Sequence, residues 1–120
     1  MKKILVVEDE QDYANIMTQL LEPEGYKVAV AGTLKEAVNL LEMIDPDLLI
    51  VDWNLPDGNG LELVKAVRAG KKGKAVRIVM NTIRDSEADQ LSAYLENVDF
   101  YFTKPIKPEI FLGKIKKLLE

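Results

Sequence analysis

The chain has 120 residues, 48% of them hydrophobic and 30% charged, with a net charge of −4. That describes one ordinary globular domain, residues 1–120, with a single core. The acidic balance speaks against direct nucleic-acid binding, and no apolar run exceeds four residues, too short for a membrane span or a signal peptide. Zero cysteines exclude disulfides and thiolate metal sites and fit a reducing, cytoplasmic compartment; zero histidines remove the commonest catalytic base and transition-metal ligand, so any metal is expected to be hard and oxygen-bound.

Strand and helix alternate five times. Lys3 to Val7 reads as a first strand and ends on Glu8-Asp9-Glu10. Tyr13, Ile16, Met17, Leu20 and Leu21 recur at helical spacing until Pro23 and Gly25 close the helix. Tyr26 to Ala31 is a second strand. Thr33-Leu34-Lys35-Glu36 has the capping-box form, and Leu34, Ala37, Val38 and Leu41 make the buried stripe of a second helix, which Asp45-Pro46 breaks. Leu48 to Val51 is a strand buried on both faces that delivers Asp52 at its C-terminal end; Pro56, Asp57, Gly58 and Gly60 then force a turn.

Leu61, Val64 and Val67 mark a third helix stopping at Gly70, and the basic stretch Gly70 to Lys74 reads as a solvated loop. Val76 to Met80 is a fourth strand running into Asn81-Thr82. Asp85 or Ser86 starts a fourth helix, with Ala88, Leu91 and Leu95 inward and Tyr94 outward. Val98 to Phe102 is a fifth strand leading to Thr103-Lys104-Pro105. Pro108 suits the first turn of a last helix that turns Phe111, Ile115, Leu118 and Leu119 inward.

Such alternation with short, right-handed crossovers implies a flavodoxin-like (βα)5 α/β fold: five parallel strands in order 2-1-3-4-5 with helices on both faces. The C-terminal strand ends then share one edge, bringing together Glu8, Asp9, Asp52, Thr82 and Lys104. Alone, Asp52 would be read as a turn cap. In a cluster of carboxylates, which repel one another, it points to a divalent cation, and oxygen-only ligands favour Mg²⁺. Carboxylate, hydroxyl and ammonium around Mg²⁺ form a phosphoryl-transfer constellation, with the carboxylate oxygen as nucleophile.

Along its whole length the chain resembles the receiver domains of two-component response regulators. The matching pieces are Ile4-Leu5-Val6-Val7-Glu8-Asp9-Glu10, Asp52 with Pro56 and Gly60 in the D-x₃-P-x₃-G spacing, Thr82, and Tyr101-Phe102-Thr103-Lys104-Pro105. The resemblance implies that Asp52 accepts a phosphoryl group from the phosphohistidine of a sensor histidine kinase or phosphotransfer protein. It implies that Asp9, Asp52 and the backbone carbonyl of Asn54 bind Mg²⁺, with Glu8 acting through water. Thr82, the Ile83 backbone N–H and Lys104 would hold the phosphoryl oxygens, Tyr101 would swing inward as Thr82 moves, and the Lys104–Pro105 bond would be cis. The domain would catalyse only its own phosphorylation and dephosphorylation, and would control an output partner or an attached effector domain.

Two positions depart from the family pattern. Ile83 stands where a small residue is usual, so its branched side chain is expected to crowd the entrance, and Asn81 occupies a strand position that is usually apolar. A homodimer through the fourth helix, fifth strand and fifth helix belongs to the family's repertoire. Here only Asp99 and Lys114 match its pairing residues, which leaves the output partner open. Other classes fit less well. A haloacid-dehalogenase-like phosphatase needs an acid where Asn54 stands, and a flavodoxin would have its flavin phosphate repelled by Glu8-Asp9-Glu10. A phosphorylation-independent interaction module would normally have lost Asp9, Asp52 or Lys104.

Overall fold

A computed structural model describes residues 1–70 and 75–120; Lys71 to Lys74 of the expected basic loop lie outside the described residues. Five strands form one parallel sheet: β1 (Lys3–Val7), β2 (Lys27–Ala31), β3 (Leu48–Val51), β4 (Arg77–Thr82) and β5 (Phe100–Thr103). Their order is β2-β1-β3-β4-β5, the arrangement expected from the alternation. Between them run α1 (Gln11–Leu21), α2 (Leu34–Ile44), α3 (Gly60–Ala69), α4 (Glu87–Leu95) and α5 (Pro108–Leu118). None of the described helices is long and apolar enough to cross a membrane.

The four-residue apolar runs of β1 and β3 are buried because each lies between two helical layers. Leu5, Val7, Leu49 and Val51 face a core shared with Ala37 of α2, Leu61, Leu63 and Val64 of α3, and Ala93 of α4. Ile4, Val6, Leu48 and Ile50 face the other core, with Met17 and Leu21 of α1 and Phe111 and Ile115 of α5. The second set matters for function: the period-two alternation of a strand carries it on to Glu8 after β1 and Asp52 after β3.

The starts of α2, α3 and α4 carry side-chain caps, whereas α1 and α5 have none among the described residues. Thr33 Oγ1 accepts from Glu36 N, but the Glu36 carboxylate accepts from Gly32 N, one residue earlier than a capping box requires. The Asp57 carboxylate accepts from Leu34 N at 2.8 Å and Lys35 N at 3.1 Å, so a loop far along the chain caps α2 as well. That loop is a two-residue antiparallel pairing of Asn54–Leu55 with Gly58–Asn59. Asn59 and Ser86 cap α3 and α4.

Three helices present faces other than those expected. In α4, Leu91 and Leu95 are 60% and 70% exposed and Ala88 is exposed; the buried residue is Ala93. Ser86 caps Asp89 N and Arg84 pairs with the Asp89 carboxylate, which turns the line Asp89, Ala93, Glu96 toward the sheet. At about 100° per residue that rotates Leu91 and Leu95 to the far side. Tyr94 is outward, as expected. In α2, Val38 is exposed, while Leu40 and Ile44 join Leu34 and Leu41 against the core. In α1, Ile16 is exposed and Ala14 is buried in its stead.

Candidate functional site

The site grows from the parallel register. Val7 lies beside Val51, and Asp52 N donates to Val7 O at 3.0 Å, so Glu8 and Asp52 leave adjacent strands at the same height. Behind Asp52 the chain turns sharply, and Gly60 N donates to Trp53 O. A Cβ on Gly60 would lie 2.0 Å from the Asp52 carbonyl oxygen, so only glycine lets α3 start this close to the phosphoacceptor candidate.

Glu8 is 3% and Asp52 7% exposed. Between them sits the Lys104 ammonium, 2.6 Å from Glu8 Oε1, and it donates to Asp52 Oδ2 at 3.0 Å. The Lys104–Pro105 peptide bond is cis. Burial pushes the Glu8 carboxyl above its usual range despite the pairing with Lys104. Burial also works against the Lys104 ammonium, but its hydrogen bonds to Glu8 and Asp52 outweigh it and hold the lysine above its ordinary value. Glu8, Asp9 and Asp52 each bring a carboxylate oxygen within 4.8 Å of the others. Among the described residues, three carboxylates against one ammonium leave two negative charges uncompensated, and the donors are all oxygen. The set therefore fits a hard divalent cation.

Thr82 is fully buried at the end of β4, and its Oγ1 accepts from Arg84 N at 3.3 Å. Asn54 N donates to Asp52 Oδ1 at 3.3 Å. The Ile83 side chain is 68% exposed, turned to solvent rather than packed against the buried carboxylates. Tyr101 is already inward, 6% exposed, and its hydroxyl donates to Arg84 O at 2.7 Å. Burial, with the negative charge of Asp89, pushes that phenol up to about 12. A groove of about 470 Å³ between α2 and α3 is lined by residues that include Asp45, Pro46 and Val76. Glu8, Asp9 and Asp52 are not among its lining residues.

The lip of the sheet thus carries two buried carboxylates, an exposed third and a bridging lysine. The family model for the response regulator receiver domain matches residues 4–116. The chain belongs to the response-regulator receiver domain family. A chemotaxis protein CheY homolog of Campylobacter jejuni is 38% identical over 98% of this chain and 92% of its own. The phosphate regulon transcriptional regulatory protein PhoB of Klebsiella pneumoniae is 34% identical over 98% of this chain and 52% of its own, so the chain spans about half the length of that relative. The solved CheY-like response regulator receiver domain protein of Methanospirillum hungatei superposes with a TM-score of 0.90 at 33% identity, covering 98% of this chain and 94% of its own.

Two side chains of this receiver domain escaped the sequence reading. Arg84 lies 5.0 Å over the Trp53 ring and donates from Nε to Asn54 Oδ1 at 3.2 Å. Its one legible signal was being the only cation between Arg77 and Lys104. Tyr13 of α1 places its ring 4.4 Å from Lys104 Nζ, although its spacing marked it only as part of an apolar stripe. Asn81, beneath the site, is 1% exposed; its Nδ2 reaches Met17 Sδ at 3.9 Å and its Oδ1 has no hydrogen-bond partner among the described residues.

Proposed function

We propose that this receiver domain is a phosphoacceptor: Asp52 takes a phosphoryl group from the phosphohistidine of a sensor histidine kinase or phosphotransfer protein, in a Mg²⁺-dependent reaction. The observation that carries this is the Lys104 ammonium held between buried Glu8 and Asp52, with Asp9 within 4.8 Å. Mg²⁺ would be held by Asp9, Asp52 and the Asn54 carbonyl, with Glu8 acting through water, and when bound it offsets negative charge on the transferred oxygens. An Asp52 carboxylate oxygen attacks phosphorus in line with the leaving imidazole nitrogen; the P–N bond breaks as the P–O bond forms. Lys104 then pairs with a phosphoryl oxygen. The Thr82 hydroxyl and the Ile83 N–H donate to the others, and Thr82 leaves Arg84 N to do so.

That departure changes the segment whose Arg84 carbonyl holds the Tyr101 hydroxyl, which makes Tyr101 the switch residue on β5. The output partner or effector domain would read α4, β5 and α5, and two copies would pair through the same face. Receiver domains are signalling domains rather than turnover enzymes, and self-phosphorylation and self-dephosphorylation would be the only chemistry of residues 1–120, acting as one cytoplasmic domain. The rival reading, a phosphorylation-independent interaction module, has no need of the Glu8–Lys104–Asp52 cluster. Incubation with acetyl phosphate and Mg²⁺ separates the two by intact mass. The phosphoacceptor gains one phosphoryl group and Asp52→Asn gains none; equal labelling of both, or of neither, overturns the proposal.

A further inference from the structure

We propose that Tyr13 is a positioning residue for Lys104, holding the ammonium at the phosphoacceptor through its ring and the loop behind it through its hydroxyl. The proposal rests on the phosphoacceptor reading of Asp52. Tyr13 makes two contacts that straddle one proline. Its ring lies 4.4 Å from Lys104 Nζ, and its Oη accepts from Ile106 N at 3.1 Å. Pro105 has no N–H, so Ile106 carries the next backbone donor after Lys104, and a side chain from α1 satisfies it. The loop from β5 to α5 is therefore pinned on both sides of Pro105 by a residue more than 90 positions earlier in the chain.

The ring matters because the other partners of Lys104 have further work to do. Glu8 and Asp52 bind the ammonium, yet both belong to the carboxylate set suited to a divalent cation. An oxygen committed to such a cation attracts the ammonium less. Glu10, at 4.0 Å and largely exposed, is a poor substitute. The aromatic face keeps its attraction whatever the carboxylates bind, because it derives from the ring quadrupole. Lys104 has a flexible four-carbon stem, and a π surface below the ammonium keeps it within reach of Asp52.

Tyr13→Phe keeps the ring and deletes the hydroxyl; Tyr13→Leu deletes both. Three readouts are taken on the intact chain: the rate of labelling by acetyl phosphate at saturating Mg²⁺, half-saturation by Mg²⁺ from Trp53 emission, and the ring-current shift of the Lys104 ε-methylene proton resonance. Tyr13→Leu is expected to lose the ring-current shift and slow labelling roughly three- to tenfold, the range of a partly buried cation–π contact, with Mg²⁺ half-saturation unchanged. Tyr13→Phe should keep the ring-current shift and most of the rate. The proposal fails if Tyr13→Leu labels at the parental rate, or if both variants slow equally while Mg²⁺ affinity falls with them. A parent that takes no label sinks the phosphoacceptor reading instead; the Lys104 resonance then still decides, since a parent without a ring-current shift refutes the role of Tyr13.

Discussion

Replacing Lys104 by methionine keeps the length of the side chain and removes the only cation among the described residues that touches both buried carboxylates. The side chains of Lys104, Glu8 and Asp52 are 6%, 2% and 9% exposed, so the rule for buried rather than surface pairs applies. Removing one partner of such a pair costs about 3 kcal/mol or more, because the remaining charges stay desolvated. With an unfolding entropy of roughly 2.1 cal/mol/K per residue, this lowers the melting temperature by about 12 °C. The sign of the pH effect follows from Glu8. Its carboxyl titrates above the ordinary 4.5 in the folded chain, so between 4.5 and that raised value the native state binds protons that the unfolded chain has released. Stability therefore falls as pH rises through that window. Without Lys104, which draws the Glu8 pKa down, the window widens upward. Lys104→Met should thus lose less stability at about pH 5 than at pH 7, and Mg²⁺ should stabilise the variant more than the parent. Thermal and urea unfolding followed by circular dichroism measure both effects. Equal melting temperatures for parent and variant at pH 7 would refute the buried-charge argument.

Three further outcomes follow from particular contacts. Asp57→Ala should raise amide hydrogen exchange at Leu34 and Lys35; in the parent the Asp57 pKa is lowered by its bond to Leu34 N, so the stabilisation is present above pH 3.8 and is lost as pH falls through the depressed value. Unchanged exchange would mean the cap contributes nothing. Leu91→Ser and Leu95→Ser should each stay within about 0.5 kcal/mol of the parent in urea unfolding, whereas Ala93→Leu should cost about 1–3 kcal/mol through overpacking; the reverse ranking would mean α4 is rotated from its observed phase. Asn81→Val removes from the layer beneath the site a buried carbonyl without a partner among the described residues and should stabilise the chain by about 1 kcal/mol in the same assay. A loss of similar size would show that the carboxamide is satisfied in solution.

What the sequence disclosed and what it hid divide along physical lines. β1 and β3 have the expected limits because a four-residue apolar run between polar residues admits one burial pattern. Given strand order, the convergence of Glu8, Asp9, Asp52 and Lys104 follows from topology alone. The faces of α4 did not, because Ala88, Leu91 and Leu95 match a helical stripe as well as Asp89, Ala93 and Glu96 do. The choice between them is made by the Arg84–Asp89 pair and the Ser86 cap. β2 and β5 begin later than expected, at Lys27 and Phe100, because Tyr26 and Val98 are apolar yet lie before the ladder starts. Tyr13 and Arg84 owe their roles to contacts across elements, to which no local spacing points.

The central claim is that this acidic lip carries phosphoryl chemistry on Asp52, and locating the phosphoryl group tests it most directly. After reaction with acetyl phosphate, peptide mass spectrometry should find one added phosphoryl group on the fragment containing Asp52. The modification should require Mg²⁺ and disappear in Asp9→Ala at the same Mg²⁺ concentration. A phosphoryl group on any other residue, or full labelling of Asp52 in the presence of a chelator, would contradict the account.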